Sequence, residues 1–411
     1  MRNRVVVTGL GCISPLGNDV SSSWKACVNG ESGIDRIKNF DPELYRCQIA
    51  GEIKNFQLSE IVPSKESKKM DFFIKYSISA AQEALNDSGL EITKDLEEEV
   101  GVSMGVGIGG LGCIEKYNSI LEESGPKRVS PFFIPMTLSN LAPGYISLLF
   151  NAKSYTACSV SACTSSNHAI GTAARTIERG DAKVVIAGGA ESSVTPLGIA
   201  GFASMHALST RNEEPKRASR PFDIDRDGFV MGEGSGMLIL EDYEFAKARG
   251  AQIYCEIVGY GFSSDAFHVT SPSTEGPARA MKMTIKDSGL STEEIDYINA
   301  HGTSTPAGDL NELKAIKMAM GEKAALQTSI SSTKSMTGHL LGAAAAIEAV
   351  FSIKALHHNF VPPTINIDNL DPECDLDVTP NKGKSKNIRV AMSNAFGFGG
   401  TNASIIFQKT E

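Results

Sequence analysis

Cys163 lies within SVSACTSSNHA (residues 159–169), among small and polar residues where the pattern predicts the beginning of a helix. The thiolate, and not the thiol, is the nucleophilic form of cysteine, and the N-terminus of a helix stabilises negative charge. We therefore expect the helix to lower the pKa of Cys163 without help from an adjacent base. A lone cysteine is more often a small, buried apolar residue, so its role depends on what else the chain brings to it.

Three histidines are candidate partners for that thiol. His168 follows five residues later on the same predicted helix, so it points well away from Cys163 and is interpreted as a structural residue. His301, in NAHGTSTPAGD, follows a predicted strand, and His339, in STKSMTGHLLGAAAAIE, precedes an apolar helix. Loops at such positions hold the sites of many α/β proteins. One cysteine and two histidines in these loops indicate covalent, nucleophilic catalysis.

Glycine-rich loops are a further chemical signal. The glycines of NAFGFGGTN (residues 394–402) permit backbone conformations that aim an N–H group at an oxyanion. GIGG and GEGSGM superficially resemble phosphate-binding loops, but neither has the required spacing between a strand and a helix. We therefore expect no nucleotide site.

The elements that must position these residues alternate along the chain. Short β-branched runs that end in glycine turns, such as RVVVTGLG and AKVVIAGGAESS, are separated by amphipathic helical segments. This alternation predicts an α/β fold with a largely parallel sheet at its core.

An internal repeat divides the chain. The segment DSGL occurs at Asp87 and again at Asp287, each time after a helical pattern and before an acidic segment and a strand. Matched order over two such stretches favours duplicated α/β halves over chance similarity. The predicted halves are residues 1–250, which carry the candidate nucleophile, and residues 251–411, which carry His301 and His339.

Composition excludes several other classes of function. The chain has 411 residues, a net charge of −9 and eight cysteines without zinc-type spacing. An acidic chain argues against a nucleic-acid binder, and scattered cysteines are typical of reduced thiols. The first predicted strand begins at Val5, and the apolar runs are too short to span a bilayer. We expect a protein that does not enter the membrane and lies in the cytoplasm, or in an organelle stroma or matrix if a transit peptide has been removed.

A series of motifs in a fixed order links the chain to a known family. They are VVVTGLG, SACTSSNHAIG, AGGAESS, LSTRN, RPFDIDRDGFVMGEGSG, SSDAFHVTSP, NAHGTSTPAGD, SSTKSMTGHLLGAAAAIEA, VPPTINID and NAFGFGGTN. With these motifs essentially the whole chain resembles the β-ketoacyl-acyl-carrier-protein synthases, most closely the elongating type II enzymes of dissociated fatty-acid synthesis. The resemblance implies a thiolase-like fold of duplicated α/β halves in five α-β-α-β-α layers, a homodimer, and no required cofactor.

The resemblance also implies roles for the three central residues. Cys163 would accept an acyl chain from acyl carrier protein as a thioester. His301 and His339 would stabilise the enolate that forms when malonyl carrier protein loses CO₂, and this carbon would attack the acyl group on Cys163.

Further residues acquire roles by the same resemblance. Lys334 would orient His339 and favour its neutral form, Glu312 would join the same polar network, and Phe398 would act as a gate and, with Cys163, supply backbone N–H groups for the oxyanion. The residues expected to bind substrate are Ile108 at the distal end of the acyl tunnel, Phe229, Thr270, Thr303, Thr305 and Phe396. The residues expected to dock the acidic carrier protein are Lys65, Lys68, Lys69, Lys127 and Arg128. The positions at which some family members hold a monovalent cation, Na⁺ or K⁺, are Asn299, Glu348, Ser393 and Asn394, and a buried hydrogen-bond network without an ion is the alternative.

The chain departs from the family pattern in several places. His206 stands where relatives commonly have an arginine that docks the carrier, SSNHA replaces SGVHN, GAAAA replaces GAAGA, and residues 143–162 are atypical. These departures leave the preferred chain length open.

A ketosynthase of a dissociated polyketide pathway is the alternative activity, and a chain-length-factor subunit is the non-catalytic alternative, although such subunits usually lack the nucleophile. A thiolase would need a second cysteine near the C-terminus, which NAFGFGGTN does not provide.

Overall fold

A computed structural model describes residues 2–410 of the chain. The strands are β1 Val5–Ile13, β2 Asp35–Arg36, β3 Ile49–Ala50, β4 Val100–Val106, β5 Thr156–Ser159, β6 Val184–Glu191, β7 Gly234–Asp242, β8 Cys255–Ser264, β9 Tyr297–Asn299, β10 Ser329–Ser331, β11 Phe360–Val361, β12 Lys384–Ser385, β13 Val390–Gly397 and β14 Thr401–Gln408. The α-helices are α1 Val20–Val28, α2 Ser64–Ser67, α3 Phe72–Ser88, α4 Leu111–Ser124, α5 Phe133–Thr137, α6 Leu141–Phe150, α7 Ser165–Glu178, α8 Pro196–Ser204, α9 Tyr243–Ala248, α10 Glu275–Ser288, α11 Pro306–Met320, α12 Glu322–Gln327, α13 Lys334–Thr337 and α14 Ala344–His358.

A ten-stranded sheet in the order β10-β9-β13-β14-β8-β1-β7-β6-β4-β5 organises the fold. Within residues 2–410, its two five-stranded groups join where Val6 and Val7 of β1 pair with β8. The outer pairs β10–β9, β9–β13, β6–β4 and β4–β5 are parallel. Every pair between β13 and β6, through the centre, is antiparallel. The prediction of a largely parallel core is therefore wrong for the middle of the sheet, because each half adds two antiparallel strands to a three-stranded parallel unit.

The helices form three layers around the two groups of strands. Helix α3 packs on β1 and β7, and α10 packs on β8 and β14. Helices α7 and α14 pack against each other and contact strands of both groups, so they form the central layer. The order is α-β-α-β-α, which confirms the predicted five-layered, thiolase-like α/β fold.

Glycines let the layers approach closely. A Cβ atom on Gly9 or Gly11 of β1 would lie 2.1 Å from the carbonyl oxygen of Ala84 or 1.9 Å from that of Ala80 in α3. The motif VVVTGLG thus combines a fully buried strand with the small residues that seat α3 on it.

The two DSGL segments perform the same structural task. Helices α3 and α10 both end at a glycine in the left-handed region, Gly89 at φ +61° and Gly289 at φ +71°. The Asp87 carboxylate accepts a hydrogen bond from a backbone N–H of β1, and the Asp287 carboxylate accepts one from a backbone N–H of β8. The internal repeat is therefore a repeat of structure, with β1 and β8 in corresponding places.

Two properties of the whole chain bear on its surroundings. All eight cysteines are free thiols. Among residues 2–410, no helix combines the length and the apolar character needed to cross a lipid bilayer.

Candidate active site

The nucleophile candidate stands on a tight turn between β5 and α7. Residues Ala162–Thr164 form a 3₁₀ turn that runs directly into α7. Ala162 has φ +52°, a left-handed conformation that side chains other than glycine adopt at a cost of about 1–3 kcal/mol. This conformation points Cys163 into a cavity instead of into the helix layer. The Ser165 hydroxyl fixes the turn by donating to the carbonyl oxygen of Ala162 at 2.6 Å.

Both predicted histidines meet Cys163 from the other half of the molecule. Cys163 Sγ and His339 Nε2 form a hydrogen bond of 2.8 Å. The rings of His301 and His339 lie edge to face, with their centroids 5.4 Å apart. The thiol sulfur and one nitrogen of each histidine all lie within 4.8 Å of one another. The sequence therefore identified the three side chains that the fold assembles from residues 163, 301 and 339.

The protonation states of this trio follow from burial. Burial lowers the pKa of both His301 and His339 well below the usual value, and the charge of Lys334 lowers it further. Both imidazoles are therefore neutral at physiological pH, and each offers one N–H donor and one acceptor. Burial raises the pKa of Cys163 to about 12, although the charge of Lys334 opposes this rise. The expected lowering of the Cys163 pKa is wrong, because loss of water around the thiol outweighs the helix N-terminus.

His168 takes no part in this arrangement. Its Nδ1 atom forms a 2.7 Å hydrogen bond with the Ser161 hydroxyl, and its ring packs edge-on against Phe262. The prediction that His168 is structural is confirmed.

A buried polar network supports the trio. Lys334 forms an ion pair with Glu348 of α14, and both side chains are buried. Glu312 accepts hydrogen bonds from the backbone N–H of His301 at 2.9 Å and of Gly302 at 2.8 Å. Glu312 therefore holds the His301 loop, as expected. Lys334 acts on His339 through its charge, since its ammonium group is directed to Glu348.

The predicted substrate residues surround a single cavity of about 520 Å³. It contains the trio together with Phe398 and all six residues predicted to bind substrate: Ile108, Phe229, Thr270, Thr303, Thr305 and Phe396. The Phe229 ring packs edge-on against His339, and the Phe396 ring against His301. Thr303 and Thr305 share a hydrogen bond of 3.1 Å at the polar side. An apolar cavity with a few polar groups beside a nucleophile suits an acyl chain and its thioester.

Some cavity residues were not predicted. Phe202 and Met205, at the end of α8, line the cavity, as does Asn402, whose amide donates to the Asp265 carboxylate at 2.7 Å. No local motif marks α8 as part of a site. Glu191, by contrast, belongs to the quoted motif AGGAESS, and its carboxylate holds two of the loops around the cavity.

The predicted docking residues lie on a separate, exposed surface. Lys65, Lys68, Lys127 and Arg128 are exposed, whereas Lys69 is half-buried. The Lys69 ammonium group pairs with Glu66 at 2.6 Å and lies 4.7 Å from the centre of the Phe132 ring, which ties the two basic segments together. The His206 side chain forms a hydrogen bond with Arg46, with 2.9 Å between His206 Nδ1 and Arg46 Nη1.

Three of the four candidate cation residues form one buried cluster. Ser393 of β13 lies opposite Asn299 of β9, and the Asn299 amide reaches the Glu348 carbonyl at 3.5 Å. Glu348 Oε2 and Ser393 Oγ are buried and have no hydrogen-bond partner among residues 2–410. The side-chain oxygen of Asn394 instead accepts from Ser404. Two free oxygens thus fit a hard monovalent cation, while the Asn394 side chain does not contribute.

Sequence comparisons identify the family. Residues 2–246 match "Beta-ketoacyl synthase, N-terminal domain", and residues 254–368 match "Beta-ketoacyl synthase, C-terminal domain". The chain belongs to the β-ketoacyl synthase family. The 3-oxoacyl-[acyl-carrier-protein] synthase 2 of Vibrio cholerae is 51% identical over 411 residues, and the match covers 99% of each chain.

Solved structures support the same assignment. A β-ketoacyl synthase from Burkholderia phymatum has a TM-score of 0.93 and 36% identity, and the match covers 100% of both chains. A ketosynthase of a type II polyketide synthase, solved in complex with its acyl carrier protein, has a TM-score of 0.90 and 32% identity, again over 100% of both chains. The family resemblance drawn from the motifs is therefore confirmed.

Proposed function

We propose that this β-ketoacyl synthase is a 3-oxoacyl-[acyl-carrier-protein] synthase that extends fatty acyl chains by two carbons. The observation that carries this proposal is the hydrogen bond between Cys163 Sγ and His339 Nε2, with His301 beside it, in a cavity with apolar walls. The family supplies the reaction class, and the site supplies the groups that each step needs.

The first step is acyl transfer to Cys163. With a pKa near 12, the thiol is protonated at neutral pH and needs a base when it attacks. His339 Nε2, at 2.8 Å, accepts that proton as the sulfur bonds to the acyl carbonyl. The bond between the acyl group and the carrier's sulfur then breaks, and the departing thiolate takes the proton. The products are acyl-Cys163 and free carrier thiol.

The second step is decarboxylative condensation. Malonyl carrier protein loses CO₂, and the electrons of the broken C–C bond form an enolate. Neutral His301 donates an N–H group to the enolate oxygen, and His339 donates from Nε2 in the tautomer opposite to the one that accepts the Cys163 proton; burial and the charge of Lys334 keep both rings uncharged. The enolate carbon attacks the acyl carbonyl, the C–S bond to Cys163 breaks, and one proton from solvent restores the thiol. Backbone N–H groups of Cys163 and Phe398, both at the cavity wall, are proposed to bind the oxyanion of this step.

The proposed partner is an acidic acyl carrier protein that enters loaded with an acyl or a malonyl group. Thr270, Thr303 and Thr305 offer hydroxyls for the carrier's pantetheine arm. Exposed Lys65, Lys68, Lys127 and Arg128 offer charge for its acidic surface, with Lys69 partly neutralised by Glu66. We propose that Ile108, at the cavity wall, limits the chain length, and that Phe398, which is 37% exposed, gates the entrance.

We propose that catalysis needs no cofactor, with Na⁺ or K⁺ having a structural role only. The ion would be held by Glu348 and Ser393, which have free oxygens, and by backbone carbonyls of the same cluster. A rise in melting temperature when K⁺ or Na⁺ replaces choline would support the ion. Equal melting temperatures would favour the buried hydrogen-bond network alone.

We also propose a homodimer in the bacterial cytoplasm, or in an organelle stroma or matrix after removal of a transit peptide. The edge strand β5 is followed by Val160, which is 63% exposed, and nearby helices expose Leu148 and Ile134. An unpaired edge beside apolar side chains suits pairing with a second copy. The proposed division of the chain into halves at residue 250 rests on the repeated DSGL segment. Strand β8, which follows residue 250, begins the second group of strands.

The alternative activity is a polyketide ketosynthase. The polyketide relative is 32% identical, against 51% for the fatty-acid enzyme, so fatty-acid elongation is favoured. The test is to supply octanoyl carrier protein and malonyl carrier protein and to weigh the carrier-bound product. A single two-carbon extension to 3-oxodecanoyl carrier protein, absent with Cys163→Ala, would support the proposal. Repeated extension without reduction would favour the polyketide reaction, and no product with folded protein would favour a chain-length factor.

A further inference from the structure

Glu191, the last residue of β6, is a buried carboxylate that the catalytic steps above do not use. It is fully buried and accepts hydrogen bonds from two separate backbone segments. The donors are the N–H groups of Gly107 at 2.9 Å, Ile108 at 3.2 Å, Gly109 at 3.2 Å and Gly342 at 3.1 Å, together with the Ser193 hydroxyl at 3.0 Å.

The Glu191 carboxylate is held by hydrogen bonds and not by an ion pair among the described residues. Within residues 2–410, no lysine or arginine forms an ion pair with Glu191. A buried charge is costly unless other groups satisfy it, and here backbone dipoles and one hydroxyl do so. Burial raises the pKa of Glu191, and the N–H groups of Gly109, Gly342 and Ile108 oppose that rise.

The two segments that Glu191 holds are neighbouring parts of the wall of the acyl cavity. Gly107 and Ile108 line it from one segment, and His339 and Leu341 line it from the other. The segments touch, since a Cβ atom on Gly342 would lie 2.1 Å from the backbone nitrogen of Gly107 and 2.8 Å from Glu191 Oε2. The Glu191 carboxylate therefore fixes the position of the segment that contains Ile108 relative to the segment that contains His339.

We propose that Glu191 is a positioning residue that closes the distal end of the acyl cavity and thereby restricts the length of the acyl chain that Cys163 accepts. This inference deepens the proposed function and rests on it. Burial is the main cause of the raised pKa of the Cys163 thiol, and the carboxylate of Glu191 raises it further.

The test is the ratio of acylation rates with palmitoyl and octanoyl carrier protein. Glu191→Gln replaces one acceptor oxygen with an NH₂ group that faces backbone N–H donors, so the two segments separate. Loss of these buried hydrogen bonds loosens the wall that carries Ile108, so we expect the ratio to shift toward palmitoyl carrier protein by roughly tenfold. In Glu191→Gln, the alkylation of Cys163 by iodoacetamide should also reach a given rate at a lower pH than in the wild type.

Two further variants make the test specific. Glu83→Gln alters another carboxylate that accepts two backbone N–H bonds, from Cys12 and Val20, away from the cavity. It should lower stability and leave the ratio unchanged. Ser193→Ala removes one donor and should shift the ratio in the same direction by a smaller factor, which preserves the test if Glu191→Gln does not fold.

The outcomes separate this inference from the proposed function. A wild-type protein that is not acylated at all would overturn the proposed function. An acylated wild type, with an unchanged ratio in folded Glu191→Gln or, failing that variant, in Ser193→Ala, would overturn only the role of Glu191. A ratio that shifts equally in Glu83→Gln would also overturn it, because general loosening would then be the cause.

Discussion

The beginnings of α7 and α14 are the same structure used for different purposes. Each helix follows a 3₁₀ turn whose first residue is left-handed, Ala162 at φ +52° and Leu341 at φ +48°. The second residue is Cys163 in one turn and Gly342 in the other. A Cβ atom at Gly342 would collide with the neighbouring loop, so the C-terminal half has no room for a second nucleophile there.

The first turns of the two helices differ in polarity. Helix α7 begins with Ser165, Ser166 and Asn167, and α14 begins with three alanines. The Ser166 hydroxyl donates to the carbonyl oxygen of Gly342, and the Asn167 amide donates to backbone carbonyls of β13 and β14. The half that carries the nucleophile is thus fixed by directed hydrogen bonds. The other half contributes the largely apolar helix α14, and the two histidines of the site, His301 and His339, lie on loops outside that helix.

The largest expected effect comes from breaking the buried ion pair between Lys334 and Glu348 of α14. Lys334→Met leaves the Glu348 carboxylate buried and unpaired. We expect a loss of about 3–5 kcal/mol in the free energy of unfolding, measured by urea denaturation. The double variant Lys334→Met/Glu348→Gln should recover most of that loss. Equal stability of the single variant and the wild type would show that α14 does not depend on this pair.

The next effect tests whether His301 acts in condensation but not in the acylation of Cys163. His301→Ala removes one donor to the enolate oxygen but leaves the Cys163–His339 bond in place. We expect condensation to slow by about 10²–10³-fold in single-turnover assays with malonyl carrier protein. Acylation of Cys163 should proceed within a few-fold of wild type, and an equal loss in both steps would contradict separate roles.

The pH dependence of the thiol separates helix stabilisation from burial. Because burial raises the Cys163 pKa to about 12, the thiolate fraction grows with every pH unit through the neutral and alkaline range. Iodoacetamide alkylation, followed by mass spectrometry, should therefore rise about tenfold per pH unit without reaching a plateau. A plateau near neutral pH would mean that the helix N-terminus controls the thiol after all.

The smallest effect compares the first turns directly. Ser166→Ala leaves the Gly342 carbonyl without its hydroxyl partner, and Ala345→Ser places an unpartnered hydroxyl at the corresponding buried position of α14. Each change should cost about 1–3 kcal/mol of unfolding free energy, because each leaves one buried polar group unsatisfied. If Ala345→Ser were neutral, the two turns would be equivalent, and the polar first turn of α7 would have no special role.

The sequence predicted the parts of this site that local patterns encode. Small and polar residues marked the turn at Cys163, strand-end positions marked the two histidines, and DSGL marked the repeat. The antiparallel centre of the sheet was missed, because strand neighbours such as β1 and β7 are far apart in sequence.

Burial was the other source of error. The direction of the Cys163 pKa shift depends on how completely the surrounding protein excludes water, which the residues next to it do not encode. The partner of Lys334 was also missed, because Glu348 reaches it only after α14 packs between the two groups of strands.

The most direct test of the account is the intact mass of the protein through one turnover. Octanoyl carrier protein should add one octanoyl group to wild type and to His301→Ala, and none to Cys163→Ala. Malonyl carrier protein should then remove the group from wild type, with release of 3-oxodecanoyl carrier protein, while the adduct persists on His301→Ala. An adduct on Cys163→Ala, or its equally fast removal from His301→Ala, would contradict a site in which one half holds the acyl chain and the other discharges it.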